Sequence, residues 1–191
     1  MNYKFNQGTS DQSKYHHIND LQGWTSINDS IMGGNSFAKC TLLENGLQLE
    51  GNLIEEGGGF VSCCSPVFSP PLDLSIYRGL NLSVDGGGRT LKIALYSNGG
   101  ILQSNQFLYA GLHWVAEFST NSSETSYIKI PFSNFKPTIR AKRIPLPLRF
   151  NLKAINQIQL LHSKFGSPGE LNSGFRQGHI KILLRSISGF N

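Results

Sequence analysis

Charge is scarce in this chain. Asp, Glu, Lys and Arg together make up 15% of its 191 residues, against about a quarter in ordinary soluble domains. Helical bundles and coiled coils draw heavily on Glu, Lys, Ala and Leu, so the shortage counts against them. Long apolar runs are missing too: nothing approaches the roughly 18 consecutive residues of a membrane span. The opening Met1-Asn-Tyr-Lys-Phe-Asn-Gln7 lacks the apolar core of a secretory signal and the arginines of a transit peptide. The expectation is a soluble protein in a cytoplasmic, bacterial-cytosol-like space, at most peripheral to a membrane. Organellar delivery would need a presequence outside this chain.

Cysteine is limited to Cys40, Cys63 and Cys64. No Cys-x-x-Cys or His-x-x-x-His spacing exists, so zinc is not expected. Adjacent Cys63 and Cys64 on a strand face opposite sides of a sheet. A bridge between neighbours is strained, and Cys40 could pair with only one of them. A reducing compartment with three free thiols is the simpler expectation.

Catalytic signatures are equally thin. There is no Gly-x-Ser-x-Gly elbow, and the five histidines are dispersed. Nucleophilic catalysis needs Ser or Cys, His and an orienting acid together, so no catalytic residue and no cofactor is assigned. Asp85-Gly-Gly-Gly-Arg89 runs into an alternating segment rather than a helix with a Walker lysine, and reads as a hairpin turn. Glu55-Glu56 before three glycines reads as a solvated turn rather than a calcium loop. No metal is expected.

What the chain has is glycine, 21 residues of it, and apolar residues in period two. Leu47 and Leu49 alternate with Gln48 and Glu50 after an Asn45-Gly46 turn. Leu80, Leu82 and Val84 lead through Gly86-Gly-Gly88 into Leu91, Ile93 and Leu95, which reads as a hairpin. Phe107 and Tyr109 face one way, then Trp114, Ala116 and Phe118 after a turn at Gly111-Leu112-His113. Tyr127–Pro131, Ala154–His162 and His179–Ser188 read as further strands. Nine or ten short strands predict an all-β sandwich. Most of the aromatics, Trp24, Trp114, Phe118, Phe132 and Phe135 among them, belong in its core. Residues 1–17 read as a loose polar arm, and 18–191 as one β-sandwich domain.

One stretch stands out: Trp24-Thr-Ser-Ile-Asn-Asp-Ser-Ile-Met-Gly-Gly-Asn-Ser36. It reads as a strand ending in a tight loop specified by Asx residues and paired glycines. Gly57-Gly-Gly-Phe-Val-Ser62, Leu72-Asp-Leu-Ser-Ile-Tyr-Arg-Gly79, Asp85-Gly-Gly-Gly-Arg89 and Ile130-Pro-Phe-Ser-Asn-Phe135 follow. In this order the motifs resemble the complex I intermediate-associated protein 30 family, from about Trp24 to Phe190. The chain departs from that pattern at Cys63-Cys64 and at Arg140-Ala141. The resemblance implies a jelly-roll β-sandwich of the galactose-binding-domain-like type. It also implies a non-enzymatic assembly or chaperone-like factor. The partners would be subunits of a membrane redox complex, NADH dehydrogenase or photosynthetic, or other assembly factors.

Two sets of residues are candidate binding elements. Asn28, Asp29, Met32 and Ser36, with Gly33 and Gly34, lie in the loop, where function is often carried on a rigid scaffold; the same residues would also serve to fix the chain's entry into the sandwich. Arg140, Lys142 and Arg143 lie in a basic, proline-containing connection between Lys136 and Arg149. The net charge of +5 suits an acidic partner or equally a generic basic surface. The alternative reading is a ligand-binding module for carbohydrate or single-stranded RNA, with stacking aromatics or a basic stripe.

Overall fold

Period-two alternation becomes two antiparallel sheets packed face to face. The computed structural model describes residues 18–97, 112–139, 142–145, 148–166 and 170–191; the expected arm, Arg140 and the Phe107–Tyr109 pair lie outside them. One sheet has seven strands in the order β1 (Thr25–Asn28), β4 (Phe60–Cys64), β11 (Ile155–Ser163), β6 (Thr90–Ser97), β7 (Leu112–Ser119), β9 (Lys136–Ile139) and β10 (Lys142–Arg143). The other has five: β2 (Phe37–Leu43), β3 (Gly46–Leu53), β12 (Gly178–Phe190), β5 (Gly79–Asp85) and β8 (Ser126–Pro131). Among the described residues the helical elements are two short 3-10 turns, Asp29–Met32 and Phe132–Asn134.

The inner faces supply the core. Leu91, Ile93 and Leu95 of β6 and Ile158 and Leu160 of β11 meet Leu80, Leu82, Ile180, Ile182 and Leu184 from the opposing sheet, all fully buried. Trp24, Trp114, Phe118, Phe132 and Phe135 are buried as expected. Trp114 stacks on Phe150 with centroids 4.4 Å apart.

Four expectations need correcting. The segment from Leu80 to Leu95 is not a hairpin: β5 pairs with β12 and β8, while β6 pairs with β11 and β7. The glycine turn carries the chain from one sheet to the other. An arch and a hairpin bury the same alternate residues, so alternation alone cannot separate them. The basic connection is partly strand, because β9 pairs with β7 and β10 with β9. Likewise Leu112 and His113 open β7 instead of turning.

The fourth correction concerns cysteine. Cys40 and Cys63 are joined by a disulfide with Cα atoms 5.9 Å apart, and Cys64 is the free, buried thiol. Cys63 points inward and meets β2 of the facing sheet, while Cys64 points to the other face as adjacent strand residues must. The bridge crosses between sheets, a pairing that no sequence period encodes. It also removes the argument for a reducing compartment that rested on three free thiols.

Candidate functional site

The Asn28–Ser36 loop is built around one buried carboxylate. Asp29 Oδ1 accepts the Ser36 amide at 2.8 Å, and Oδ2 accepts the amides of Gly59 at 2.6 Å and Phe60 at 3.2 Å. Burial alone would raise its pKa, but hydrogen bonds from the Gly59, Phe60 and Ser36 amides outweigh it and lower it. The carboxylate is therefore held ionised without a cationic partner. Ser36 locks the neighbouring segment: its hydroxyl donates to Ile54 O at 3.0 Å and accepts the Ile54 amide at 2.9 Å. Asn28 Nδ2 donates to Ala38 O at 3.0 Å.

The glycines in both motifs make room for this carboxylate. A Cβ on Gly34 would stand 2.4 Å from Asp29 Cγ, and one on Gly58 would stand 2.4 Å from Asp29 Oδ2. Gly33 has open space but a φ of +87°, which glycine adopts at least cost. Met-Gly-Gly and Gly-Gly-Gly-Phe are thus two halves of one cage. Asn28, Asp29 and Ser36 are its structural members.

The cage presents two apolar side chains to solvent. Ile31 and Met32 are 71% and 69% exposed at the rim of a cleft of about 730 Å³. The cleft lies on the outer face of the seven-stranded sheet, on positions that alternate with the core residues. Its walls include Phe60 of β4, Leu161 of β11, Val115 of β7 and Phe165 beyond β11. Lys92, Gln159, Thr138 and Ser163 form a polar floor.

That floor is largely bonded to itself. Tyr96 OH donates to Gln159 Oε1 at 2.7 Å, Gln159 Nε2 donates to Ser62 Oγ at 2.9 Å, and Ser62 Oγ donates to Ile27 O at 2.7 Å. Burial, with a smaller contribution from Cys64, pushes the Tyr96 hydroxyl up to about 12. Lys92 is 4% exposed; its ammonium donates to Ser163 Oγ at 3.0 Å and to Phe165 O. Desolvation lowers its pKa, opposed by the charge of Glu117. At the rim Lys164 pairs with Glu55 at 3.0 Å. The alternation of Leu91, Ile93 and Leu95 leaves Lys92 on the outward face, where it lies, but carries no signal that loops would close over it.

A second buried network holds the segment that precedes β12. His162 has its Nδ1 2.9 Å from Thr90 O and its Nε2 3.2 Å from Arg89 Nη1. A carbonyl can only accept and a guanidinium can only donate. His162 is therefore neutral with its proton on Nδ1. Desolvation, with the nearby Arg89, Lys92 and Arg176 charges, brings its pKa down to about 4 against the Thr90 hydrogen bond. Arg89 also donates to Arg176 O and to His179 O. The arginine ending Asp85-Gly-Gly-Gly-Arg89 is a strut for the segment before β12.

The other candidate set lies elsewhere. Lys142 and Arg143 are exposed on β10, at one edge of the seven-stranded sheet, while the Met32 turn leaves β1 at the opposite edge. The cleft lies between the two edges. Among the described residues no three His, Cys, Asp or Glu side chains group as a metal site. No helix there is long and apolar enough to cross a membrane.

A family model described as complex I intermediate-associated protein 30 matches residues 10–183. The chain belongs to this family. Comparison with curated proteins finds no match. Among solved structures the chain is similar to the family 11 carbohydrate-binding module of the cellulosomal cellulase Lic26A-Cel5E of Clostridium thermocellum. The TM-score is 0.61 at 16% identity, covering 92% of this chain and 94% of the module. The Clostridium thermocellum family 11 module in complex with a β-1,3-1,4-mixed-linked tetrasaccharide gives 0.60 at 14% identity, over 93% and 94% of the two chains. Likeness at this identity concerns the fold, a jelly-roll β-sandwich of the galactose-binding type, as the family resemblance implied.

Proposed function

We propose that this family member is a non-enzymatic assembly factor that binds maturing subunits of a membrane redox complex, of the NADH dehydrogenase or photosynthetic type. The observation that carries the reading is the rigid display of Ile31 and Met32 at the mouth of an apolar-walled cleft. Exposed apolar side chains on a pre-ordered turn lose little entropy when they dock. Methionine adapts to irregular partners. Each floor group already has a hydrogen-bond partner, so an apolar segment of a client would leave none of them wholly unpaired. A sugar would have to share a Gln159 amide that already donates to Ser62 Oγ and accepts from Tyr96, which ranks the carbohydrate reading second. The family description supports the choice of client class. Peripheral action beside a membrane complex fits a chain whose described residues include no membrane-length apolar helix.

The test is affinity capture from native membranes at low salt, with wild type and an Ile31→Ser/Met32→Ser double variant. Wild type is expected to recover dehydrogenase or photosystem subunits, and the double variant to lose them while folding normally. Recovery of no such subunit, with the complex assembling normally in a deletion strain, would overturn the proposal.

A further inference from the structure

Two clasps join the same pair of chain segments. The Asp29 carboxylate ties the Ser36 amide to the Gly59 amide. Cys40 stands four residues beyond Ser36, Cys63 stands four beyond Gly59, and these two are covalently joined. At about 3.3 Å per residue the clasps lie roughly 13 Å apart along the strands. One is polar and leads directly into the turn that displays Ile31 and Met32. The other is covalent and sits on β2 and β4, the strands that the two ends of the cage run into. β2 is an edge strand of its sheet, and its neighbour there is β3. Across the sandwich, its firm attachment to β4 is the bridge.

We propose that the Cys40–Cys63 bridge is a redox-sensitive latch that keeps the Asp29 cage, and with it the Ile31–Met32 turn, in the displayed arrangement. The reaction is thiol–disulfide exchange with a dithiol reductant. One thiolate of the reductant attacks Cys40 Sγ, the more accessible sulfur, since Cys40 is half-buried and Cys63 fully buried. The S–S bond breaks, and Cys63 Sγ leaves with the electron pair and takes up a proton. The second thiol of the reductant then attacks the mixed disulfide at the reductant's own sulfur. Cys40 is released as a thiol, and the reductant is left as a cyclic disulfide. The reaction reverses with an oxidised partner of the same class. Re-pairing is specific, because Cys64 faces the opposite side of β4 and burial pushes its thiol up to about 12. Loss of the link frees β2 to part from β4, and the Ser36 and Gly59 ends of the cage separate with them.

The latch regulates the surface used in the docking reading, but its test needs no client. Purified protein is compared before and after treatment with dithiothreitol, by mass after alkylation in denaturant and by amide hydrogen exchange. Before reduction one thiol, Cys64, is expected to alkylate; after it, all three. Exchange at the Ser36, Gly59 and Phe60 amides should accelerate at least tenfold on reduction, because local opening becomes easier. The Phe132 amide, bonded to Arg78 O at 3.0 Å beside the Gly79–Phe190 end of the five-stranded sheet, should change by less than about twofold as a distant reference. The melting temperature should fall by roughly 5 to 15 °C. A Cys40→Ala/Cys63→Ala variant should behave like the reduced protein with or without dithiothreitol. If that variant does not fold, the comparison of the native protein's two redox forms still decides. Three alkylated thiols in protein prepared without reductant, or equal exchange at the three cage amides in both forms, would overturn the latch. Either result leaves the capture experiment intact, and a failed capture leaves the latch intact.

Discussion

Asp29 Oδ2 accepts the Gly59 amide at 2.6 Å across a sequence distance of 30 residues. This contact converts two glycine motifs, each unremarkable alone, into a single device. The device has two outputs. It closes one end of the sandwich, and it fixes the turn from which Ile31 and Met32 project.

Removing the carboxylate should be costly. Asp29→Ala leaves the buried Ser36 and Gly59 amides and the partly buried Phe60 amide without an acceptor, and each unsatisfied buried group costs about 1–3 kcal/mol. We expect a loss of at least about 3 kcal/mol in urea unfolding at pH 7. The folded pKa of Asp29 is below the ordinary 3.8. Its contribution is therefore fully present above the unfolded pKa and is lost as pH falls through the lower folded value. Asp29→Asn should flatten the acid limb of the stability profile in that window. An acid limb identical to wild type would show that this carboxylate does not carry it.

Close approach, rather than backbone conformation, should dominate the glycine effects. Gly34→Ala places a Cβ 2.4 Å from Asp29 Cγ, whereas Gly33→Ala meets nothing and suffers only its positive φ. The expected costs are about 1 kcal/mol for Gly33→Ala and about 2 kcal/mol or more for Gly34→Ala. The order of the two melting temperatures checks this. Equal values would mean that the cage relaxes around the new methyl group.

Much of the fold was legible because burial imposes period two. Of the alternating positions, Leu47, Leu82 and Ile93 are all buried. Pairing was less legible. Leu80–Val84 and Leu91–Leu95 carry hairpin-like alternation, yet they lie in different sheets, because an arch satisfies the same pattern. The loop at Asn28–Ser36 was singled out from its Asx and glycine chemistry, but its partner at Gly58–Phe60 is set by tertiary contact. The Cys40–Cys63 bridge was invisible for the same reason: only the packing of β2 over β4 selects Cys63 over Cys64. The cleft residues Lys92, Thr138 and Gln159 come from three separate strands, and no local pattern links them.

His162 should remain neutral well below its ordinary titration range. Its folded pKa, about 4, lies under the usual 6.5, so the unfolded chain binds the proton more readily. Stability from this residue is full above about pH 6.5 and declines as pH falls toward 4. The shift corresponds to about 3 kcal/mol when fully expressed. Nitrogen NMR should show the Nδ1-protonated tautomer persisting at pH 5.5. An imidazolium signature at that pH would remove the acceptor that Arg89 uses, and the strut argument with it.

The basic edge offers a contest between two physical roles. Lys142 and Arg143 are exposed on a two-residue strand at the open edge of the seven-stranded sheet. Cations on an edge deter unwanted strand pairing. They also attract an acidic client, speeding encounter more than tightening the complex, and salt screens that effect. Changing Arg140, Lys142 and Arg143 together to Ser should shift stability by less than about 0.5 kcal/mol per site if the three side chains act at the surface. If the charges steer a client, association should slow several-fold at low ionic strength and converge on wild type at high salt. If they guard the edge, association with the client is unchanged and the variant self-associates on concentration. We expect the first outcome, because the cleft opens between this edge and the Met32 turn, and a client laid along it would pass both. Stopped-flow association at two salt concentrations, alongside sedimentation of the free variant, separates the roles. A wild-type association rate at low salt would confine the docking surface to the Met32 end of the cleft.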